Sequence, residues 1–590
     1  MSNPIVISSD DKIENIHSHF KVIAGPGAGK TYWLIEHLKN VIHNSKNITN
    51  TSKIACITYT TVGVEEILNR LDKNIDNVEV STIHGFLYKN IVKPYAHLLL
   101  DEEGEPMINI EEMSGHVKNI ASPGKVYQWQ SKVNNSRYIT DKIKVKECLE
   151  ELDWILEEND FILKPRNEFK RRIGTYFIKV EDFPAYKKLF WDEGVIHHED
   201  VLYFSYRLLK KHPILLEHIS AKYPFMFLDE FQDTNPIQAE IIKWIGKSGT
   251  VIGVIGDPAQ SIFKFQGATR EKFIDFSLPN QIDLKIENNR RSGKKIVQFL
   301  NHIRQGDSLS QKEIRTDSFN NIYYMECSGN VDQTISRFHD LRKEMKLKED
   351  YCILARRNDT VQILNNSETT EVWTDFSSID RYRESLLKSL LSGYKLVNDQ
   401  RIDMAIKEII RNLKTNQEDL LREPFQDNQF LGSISKRGLA VDLLEFVVNK
   451  INYNKNQTIF EFYNSLNDLL NEKGYTLKRI MRGKIREFSE ETTVQELLNN
   501  LILPEEKSTE IRTIHKAKGA EFESVMVYFN DEKEIENLLN PDIDASKDDT
   551  RILYVALSRA EDLLCLVSPP LESKIKKKIE DLNIREWPKS

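Results

Sequence analysis

An apolar run, Phe20 to Ala24, passes directly into Gly25-Pro26-Gly27-Ala28-Gly29-Lys30-Thr31, and Tyr32 to Ile42 continues with apolar residues at helical spacing. The pattern reads as strand, glycine loop and helix, the beginning of a parallel α/β sheet that binds phosphate at the loop. Glycines let successive backbone N–H groups turn inward around an anion, Lys30 can reach the β- and γ-phosphates of a nucleotide, and the Thr31 hydroxyl can ligate magnesium. Ala24 stands where such loops usually begin with glycine, and taken alone the segment also fits an ordinary glycine-rich turn. The candidate cradle is Ala24, Gly25, Pro26, Gly27, Ala28, Gly29, Lys30 and Thr31.

A second apolar strand, Phe225-Met226-Phe227-Leu228, delivers Asp229 and Glu230 at its C-terminal end, where ligands sit in an open parallel sheet. Asp229 is the candidate magnesium ligand, and Glu230 the group that orients and deprotonates an attacking water. An acidic pair after a strand is ordinarily a solvated turn. Its place downstream of a phosphate loop, and its extension as Phe231-Gln232-Asp233-Thr234, favour the functional reading.

At 590 residues the chain has room for several domains, and 40% hydrophobic with 29% charged residues excludes disorder as the dominant state. No apolar run approaches the roughly 20 residues of a membrane span, and Met1 to Lys12 lacks the segments of a signal peptide, so a cytoplasmic protein without membrane association is expected. Cys56, Cys148, Cys327, Cys352 and Cys565 form no CxxC pair and are expected to be buried thiols. A formal charge of −8 argues against histone-like affinity for nucleic acid but leaves room for a local basic groove.

Further segments follow in order: Ile57-Thr58-Tyr59-Thr60-Thr61, Ser81-Thr82-Ile83-His84-Gly85-Phe86, Ile196 to Leu202, Gly256-Asp257-Pro258-Ala259-Gln260-Ser261-Ile262-Phe263, Asn289-Arg290-Arg291-Ser292, Thr513 to Phe522 and Leu553 to Ala560. With the phosphate loop and Asp229-Glu230-Phe231-Gln232-Asp233, this series resembles the superfamily 1 DNA helicases of the UvrD/Rep/PcrA type, from about residue 20 to residue 567. The resemblance implies two RecA-like parallel-sheet motor domains, each carrying a mostly helical insertion. It also implies ATP and Mg2+ as cofactors, and single-stranded or tailed duplex DNA as partner.

By that resemblance Gln260, Arg291 and Arg559 contact the γ-phosphate, with Arg559 as arginine finger, and join Lys30, Thr31, Asp229 and Glu230 in hydrolysis. Glu521 would hold the ribose, and Arg290 stands where the base-stacking tyrosine is usual. Thr58, Tyr59, Thr60, His84, Phe263, Phe265 and His515 match DNA-contacting positions, with Phe263 and Phe265 as faces for bases. Three departures are visible. Ile7 to Ile13 offers no counterpart of the adenine-reading glutamine, Arg290 replaces the tyrosine, and Phe265-Gln266 replaces an aromatic-arginine pair.

The gaps between these segments predict residues 1–88 and 196–280 as motor domain 1A, and 89–195 as accessory domain 1B. Residues 281–359 and 506–590 are predicted as motor domain 2A, and 360–505 as accessory domain 2B. The expected activity is an ATP-dependent translocase on single-stranded DNA, moving 3′ to 5′ and unwinding duplex. The short second insertion and the diverged segments also resemble helicase subunits of bacterial anti-phage systems such as Gabija, which work beside a separate nuclease; the stretch after Arg559 is short for a fused one. The alternative is a nucleotide-gated DNA-binding subunit that recruits or activates such a nuclease with little processive unwinding. Lys574-Ile575-Lys576-Lys577-Lys578 reads first as a solvated helix face and second as a DNA contact.

Overall fold

The computed structural model describes residues 3–71, 77–113, 115–133, 139, 141–157, 160–264, 267, 270–316, 321–327, 329–348, 350–365, 371–398, 401–413, 415, 420–426, 429–431, 433–501, 510–545 and 548–587. The chain divides into two compact units, one made of residues 1–329, 336–356 and 514–590, the other of 330–335 and 357–513.

The first unit holds two parallel sheets. One takes β1 (Ile5–Ile7), β2 (Phe20–Ala24), β3 (Ile54–Thr58), β4 (Val78–Thr82), β5 (Phe225–Leu228), β6 (Val251–Gly256) and β7 (Ile282–Ile286), in the order β1-β7-β2-β6-β5-β3-β4. Every pairing in it is parallel. β2, β3, β5 and β6 are almost wholly buried, as strands covered on both faces must be. Because the strands run one way, the phosphate loop after β2, Asp229 after β5, Asp257 after β6 and Thr60 after β3 all leave the same edge. The sequence order of these segments thereby becomes a spatial cluster.

The other sheet contains β8 (Asn321–Glu326), β9 (Tyr351–Ala355), β10 (Phe522–Tyr528), β11 (Ala560–Ser568) and β12 (Arg585–Glu586), parallel in the order β9-β10-β11-β8-β12. Glu521 and Arg559 immediately precede β10 and β11, so both lie at the N-terminal edge of this sheet. The lysine run lies on helix Ser573–Asp581, whose Ile575 and Ile579 are buried, while Lys576 pairs with Glu326 at 2.7 Å.

Helix α1 (Lys30–Asn44) follows the phosphate loop, and its Leu34, Leu38 and Val41 pack with Val22, Ile54 and Phe227 on one face of the first sheet. The opposite face shares one core with residues 89–195, including Trp129, Leu149, Trp154, Phe183 and Trp191. That insertion is less purely helical than its composition suggests. Leu152–Glu157 and Asp160–Pro165 pair as an antiparallel hairpin, in which Leu152 and Trp154 alternate inward against outward-facing neighbours. Helix α2 (His198–Lys211) is joined to the insertion by a buried cluster: Lys187 pairs with Asp200 at 3.1 Å, and Asp200 accepts from the indoles of Trp154 and Trp191.

The second unit is helical. Arg381–Asn398, Ile402–Asn412, Ser433–Tyr453 and Ile459–Glu472 enclose Leu390, Ile409, Leu443, Val447 and Leu466. No helix among the described residues is long and apolar enough to cross a membrane. All five cysteines are free and buried.

Candidate functional site

The phosphate loop turns on two glycines in left-handed backbone, Gly27 at φ 67 and Gly29 at φ 80. Gly27 has a second constraint, since a Cβ there would lie 2.5 Å from Cβ of Arg291. The loop therefore admits the Asn289–Arg291 segment against its backbone, and the Arg290 N–H donates to the Gly27 carbonyl at 2.8 Å. Gln311 also grips the loop through the Pro26 carbonyl at 2.9 Å. Lys30 folds over the loop, its Nζ 3.3 Å from the Ala24 carbonyl and 3.4 Å from that of Gly25.

Asp229 and Glu230 stand beside Lys30 in a buried acidic group that also contains Asp233. Glu230 is a non-glycine residue in left-handed backbone, φ 52, and its N–H donates to Oδ1 of Asp229 at 2.9 Å. Backbone in that region costs roughly 1 to 3 kcal/mol and persists only where its surroundings enforce it. Gln232 donates its side-chain amide to Glu230. Burial and the neighbouring Glu230 push the Asp229 carboxyl up to about 7, against the pull of Lys30. Burial would raise Glu230 too, but Lys30, Lys518, the Gln232 hydrogen bond and Arg559 outweigh it and hold that carboxyl below its ordinary value. The pair thus has one member that retains its proton near neutrality and one that stays ionised, as a water-activating base must.

The hydroxyl of Thr31 with the carboxylate of Asp229 is the hard-oxygen donor set that magnesium takes, and a divalent cation there would displace the proton that Asp229 otherwise keeps. Among the described residues no group of three or more His, Cys, Asp or Glu side chains is arranged to hold a metal ion, so Thr31 and Asp229 would share magnesium with the phosphates and water.

Cations from the second sheet close this space. Arg559 is 2% exposed and donates from Nη2 to Oε1 of Gln260 at 3.2 Å and from Nη1 to the Ala520 carbonyl at 3.0 Å. Burial and the nearby Arg291 lower its pKa to about 9, opposed by Glu230. Arg291 pairs with Glu521 at 2.6 Å and donates to the Ser558 carbonyl at 3.2 Å. Arg290 turns away toward the N-terminal segment, donating to the Ser9 hydroxyl at 3.1 Å and pairing with Asp10. The structure therefore sets Gln260 against Arg559 and Arg291 against Glu521, and places Arg290 at the turn that lacks the glutamine.

The DNA candidates divide. Tyr59 stacks on Phe263 with centroids 5.4 Å apart, and His515 lies 6.2 Å from the same ring. These three form an aromatic group at the edge that carries the hydrolytic residues. Thr60 spends its hydroxyl capping helix Thr61–Arg70 through the Gly63 N–H at 3.1 Å, and Thr58 is buried. Burial, then His198, His116 and Arg166, lower the pKa of His84 to about 3, so it is a neutral ring and not a cation for phosphate. Phe265 lies outside the described residues, as does Gln266.

One residue without an assigned role in the sequence reading joins the two groups. Lys518 reaches Asp233 at 2.6 Å and the Gln260 carbonyl at 2.7 Å, and stands 4.7 Å above the Phe263 ring. Its place in Ala517-Lys518-Gly519, three residues before the ribose candidate Glu521, was the available signal.

Comparison with known proteins agrees with this geometry. Residues 8–280 match the family model of the UvrD/REP helicase N-terminal domain, and residues 433–569 that of the UvrD-like helicase C-terminal domain. The chain is 25% identical to the Gabija protein GajB of Bacillus cereus (strain HuB5-5), covering 94% of this chain and 93% of that protein. It is 24% identical to a probable DNA helicase II homolog of Mycoplasma capricolum subsp. capricolum, with 94% and 82% covered. Against the ATP-dependent DNA helicase PcrA of Staphylococcus aureus it is 22% identical, with 95% and 83% covered.

Proposed function

The chain belongs to the UvrD-like helicases and is an ATP-dependent DNA helicase, and from that premise we propose that it translocates 3′ to 5′ on single-stranded DNA by hydrolysing ATP between its two parallel sheets. The observation that carries this reading is the meeting of Arg559 with Gln260 beside Glu230, a cation of one sheet set against the hydrolytic edge of the other.

Lys30 and the loop N–H groups bind the β- and γ-phosphates. Glu230, held ionised, takes the proton of the attacking water. Thr31 and Asp229 would hold magnesium, which when bound would neutralise phosphate charge. Arg559 and Arg291 release Gln260 and Glu521 to meet the charge that builds on the γ-phosphate; a guanidinium already stripped of water does so with little reorganisation. Glu521, freed from Arg291, becomes available to the ribose. Lys518 connects the acidic group to Phe263, so changes at the phosphates reach the face on which bases stack.

The likeness to a Gabija protein over nearly both full lengths supports a place in anti-phage defence beside a separate nuclease. A nucleotide-gated DNA clamp that recruits such a nuclease is the second reading, favoured by Gln266 where an arginine is usual. Hydrolysis with and without single-stranded DNA, using Lys30→Ala as the blank, tests the proposal. Stimulation by DNA is expected, and hydrolysis indifferent to DNA would overturn it.

A further inference from the structure

Helix α3 (Lys294–Ile303) packs into the core of the second sheet through Ile296, Phe299, Leu300 and Ile303, and ends at Arg304. Arg304 is 2% exposed, and its guanidinium crosses to the first sheet. Nη2 lies 3.3 Å from Oδ1 of Asp257 and Nη1 lies 3.5 Å from Oδ2. Nη1 also donates to the Tyr554 hydroxyl at 2.6 Å, and Nη2 pairs with Asp307. Asp257 and Tyr554 are both wholly buried.

Asp257 in turn holds Gln260, accepting from its Nε2 at 2.8 Å, and accepts the Ala259 N–H at 3.1 Å. A carboxylate only accepts, so this contact fixes which way the amide faces: nitrogen toward Asp257, oxygen toward Arg559. Tyr554 sits on helix α4 (Asp549–Leu557), five residues before Arg559. The contacts close a circuit from Gln260 through Asp257, Arg304 and Tyr554 along α4 to Arg559 and back to Gln260.

We propose that Arg304 is a positioning residue for hydrolysis: it keeps Asp257 paired when the Gln260 amide nitrogen leaves that carboxylate to donate to the γ-phosphate. A buried carboxylate with no other strong donor would retain Gln260, because release would strand a desolvated charge. Two guanidinium N–H groups on Asp257 remove that penalty, and the hydrogen bond to Tyr554 joins the release to the helix that bears Arg559.

The inference rests on the reading of Gln260 as a γ-phosphate contact, and Gln260→Ala separates the two. Wild-type hydrolysis in Gln260→Ala would refute that reading itself. With Gln260→Ala impaired, Arg304→Met is expected to lower kcat for ATP hydrolysis by about 10- to 100-fold per nucleotide-binding site with KM nearly unchanged. The double variant Asp257→Asn, Arg304→Met is expected to recover much of that loss, since the charge that traps Gln260 is gone. A structural role alone would lower the melting temperature and the active fraction, leave kcat per site intact and give no rescue. Wild-type kcat per site in Arg304→Met, or no recovery in the double variant, overturns the proposal. Should Arg304→Met fail to fold, Tyr554→Phe removes a single hydrogen bond from the circuit. A fall in kcat at constant KM and melting temperature supports the proposal there, and unchanged kcat overturns it.

Discussion

The guanidinium of Arg559 donates to the side-chain oxygen of Gln260 at 3.2 Å, joining a residue that precedes the last long strand of one sheet to a residue that follows β6 in the other. Both are buried, and Glu230 contributes to the field that keeps Arg559 charged. A γ-phosphate arriving at the loop would compete for both partners at once, so binding energy at one end of the nucleotide changes the contact between the sheets.

Replacing Arg559 by alanine is therefore expected to cut ATP hydrolysis by about 10³-fold or more while nucleotide binding persists. Single-turnover hydrolysis alongside equilibrium binding of a fluorescent ATP analogue measures both. Hydrolysis within a few-fold of wild type would show that Arg559 is only a buried structural cation.

Glu230→Gln keeps the shape of the side chain and removes its basicity. Turnover is expected to fall about 10²- to 10⁴-fold with nucleotide affinity retained. Steady-state phosphate release and the same binding assay check it, and sustained turnover would move the base elsewhere.

The raised pKa of Asp229, about 7, carries a sign that stability measurements can read. The unfolded chain ionises this carboxyl near its ordinary value, whereas the folded, nucleotide-free protein keeps it protonated to near neutrality. Its contribution to stability is thus complete below the unfolded pKa and is lost as pH rises through about 7. Asp229→Asn escapes that loss. Its melting temperature relative to wild type is expected to climb as pH rises from the ordinary carboxyl value to about 7 and then level off; a difference that stays flat with pH would contradict the assignment.

Much of this site is legible in the sequence because parallel strands deliver their C-terminal residues to one edge: an apolar run followed by a glycine loop or by Asp229-Glu230 already says where those groups will lie. The partners of the cations are not legible. Arg291 meets Glu521 across 230 residues, and Arg304 reaches Asp257 across 47, and no local pattern encodes either meeting. Thr60 shows the opposite limit, since the residue type that suits a DNA contact is also the one that caps a helix, and the backbone of Gly63 takes its hydroxyl. The hairpin in the first insertion is only two short strands among charged residues, which composition reads as helix.

Lys518 is the link between hydrolysis and the aromatic group. Lys518→Met leaves Asp233 buried without its cation, which is expected to destabilise the fold by on the order of 3 kcal/mol. It also removes the charge above Phe263 and is expected to weaken the stimulation of hydrolysis by DNA well beyond any effect on hydrolysis without DNA. Thermal melting and hydrolysis titrated with single-stranded DNA report the two effects separately, and full stimulation in a folded variant would remove Lys518 from the coupling.

Tyr59→Ala and Phe263→Ala each remove one ring of a stacked pair, and each is expected to weaken single-stranded DNA binding by about 1 to 3 kcal/mol. The double variant is expected to lose less than the sum, because either single change already disrupts the shared face. Fluorescence anisotropy of a labelled oligonucleotide measures all three. Additive losses would mean that the two rings serve separate contacts.

The central claim, that ATP hydrolysis between the two sheets drives movement along single-stranded DNA, is tested most directly by strand release from duplexes bearing a 3′ or a 5′ single-stranded tail, with Lys30→Ala as the inactive control. The account predicts ATP-dependent release from the 3′-tailed duplex, little from the 5′-tailed one and none with Lys30→Ala. Binding and DNA-stimulated hydrolysis without release from either duplex would contradict it, and would leave the protein a nucleotide-gated clamp.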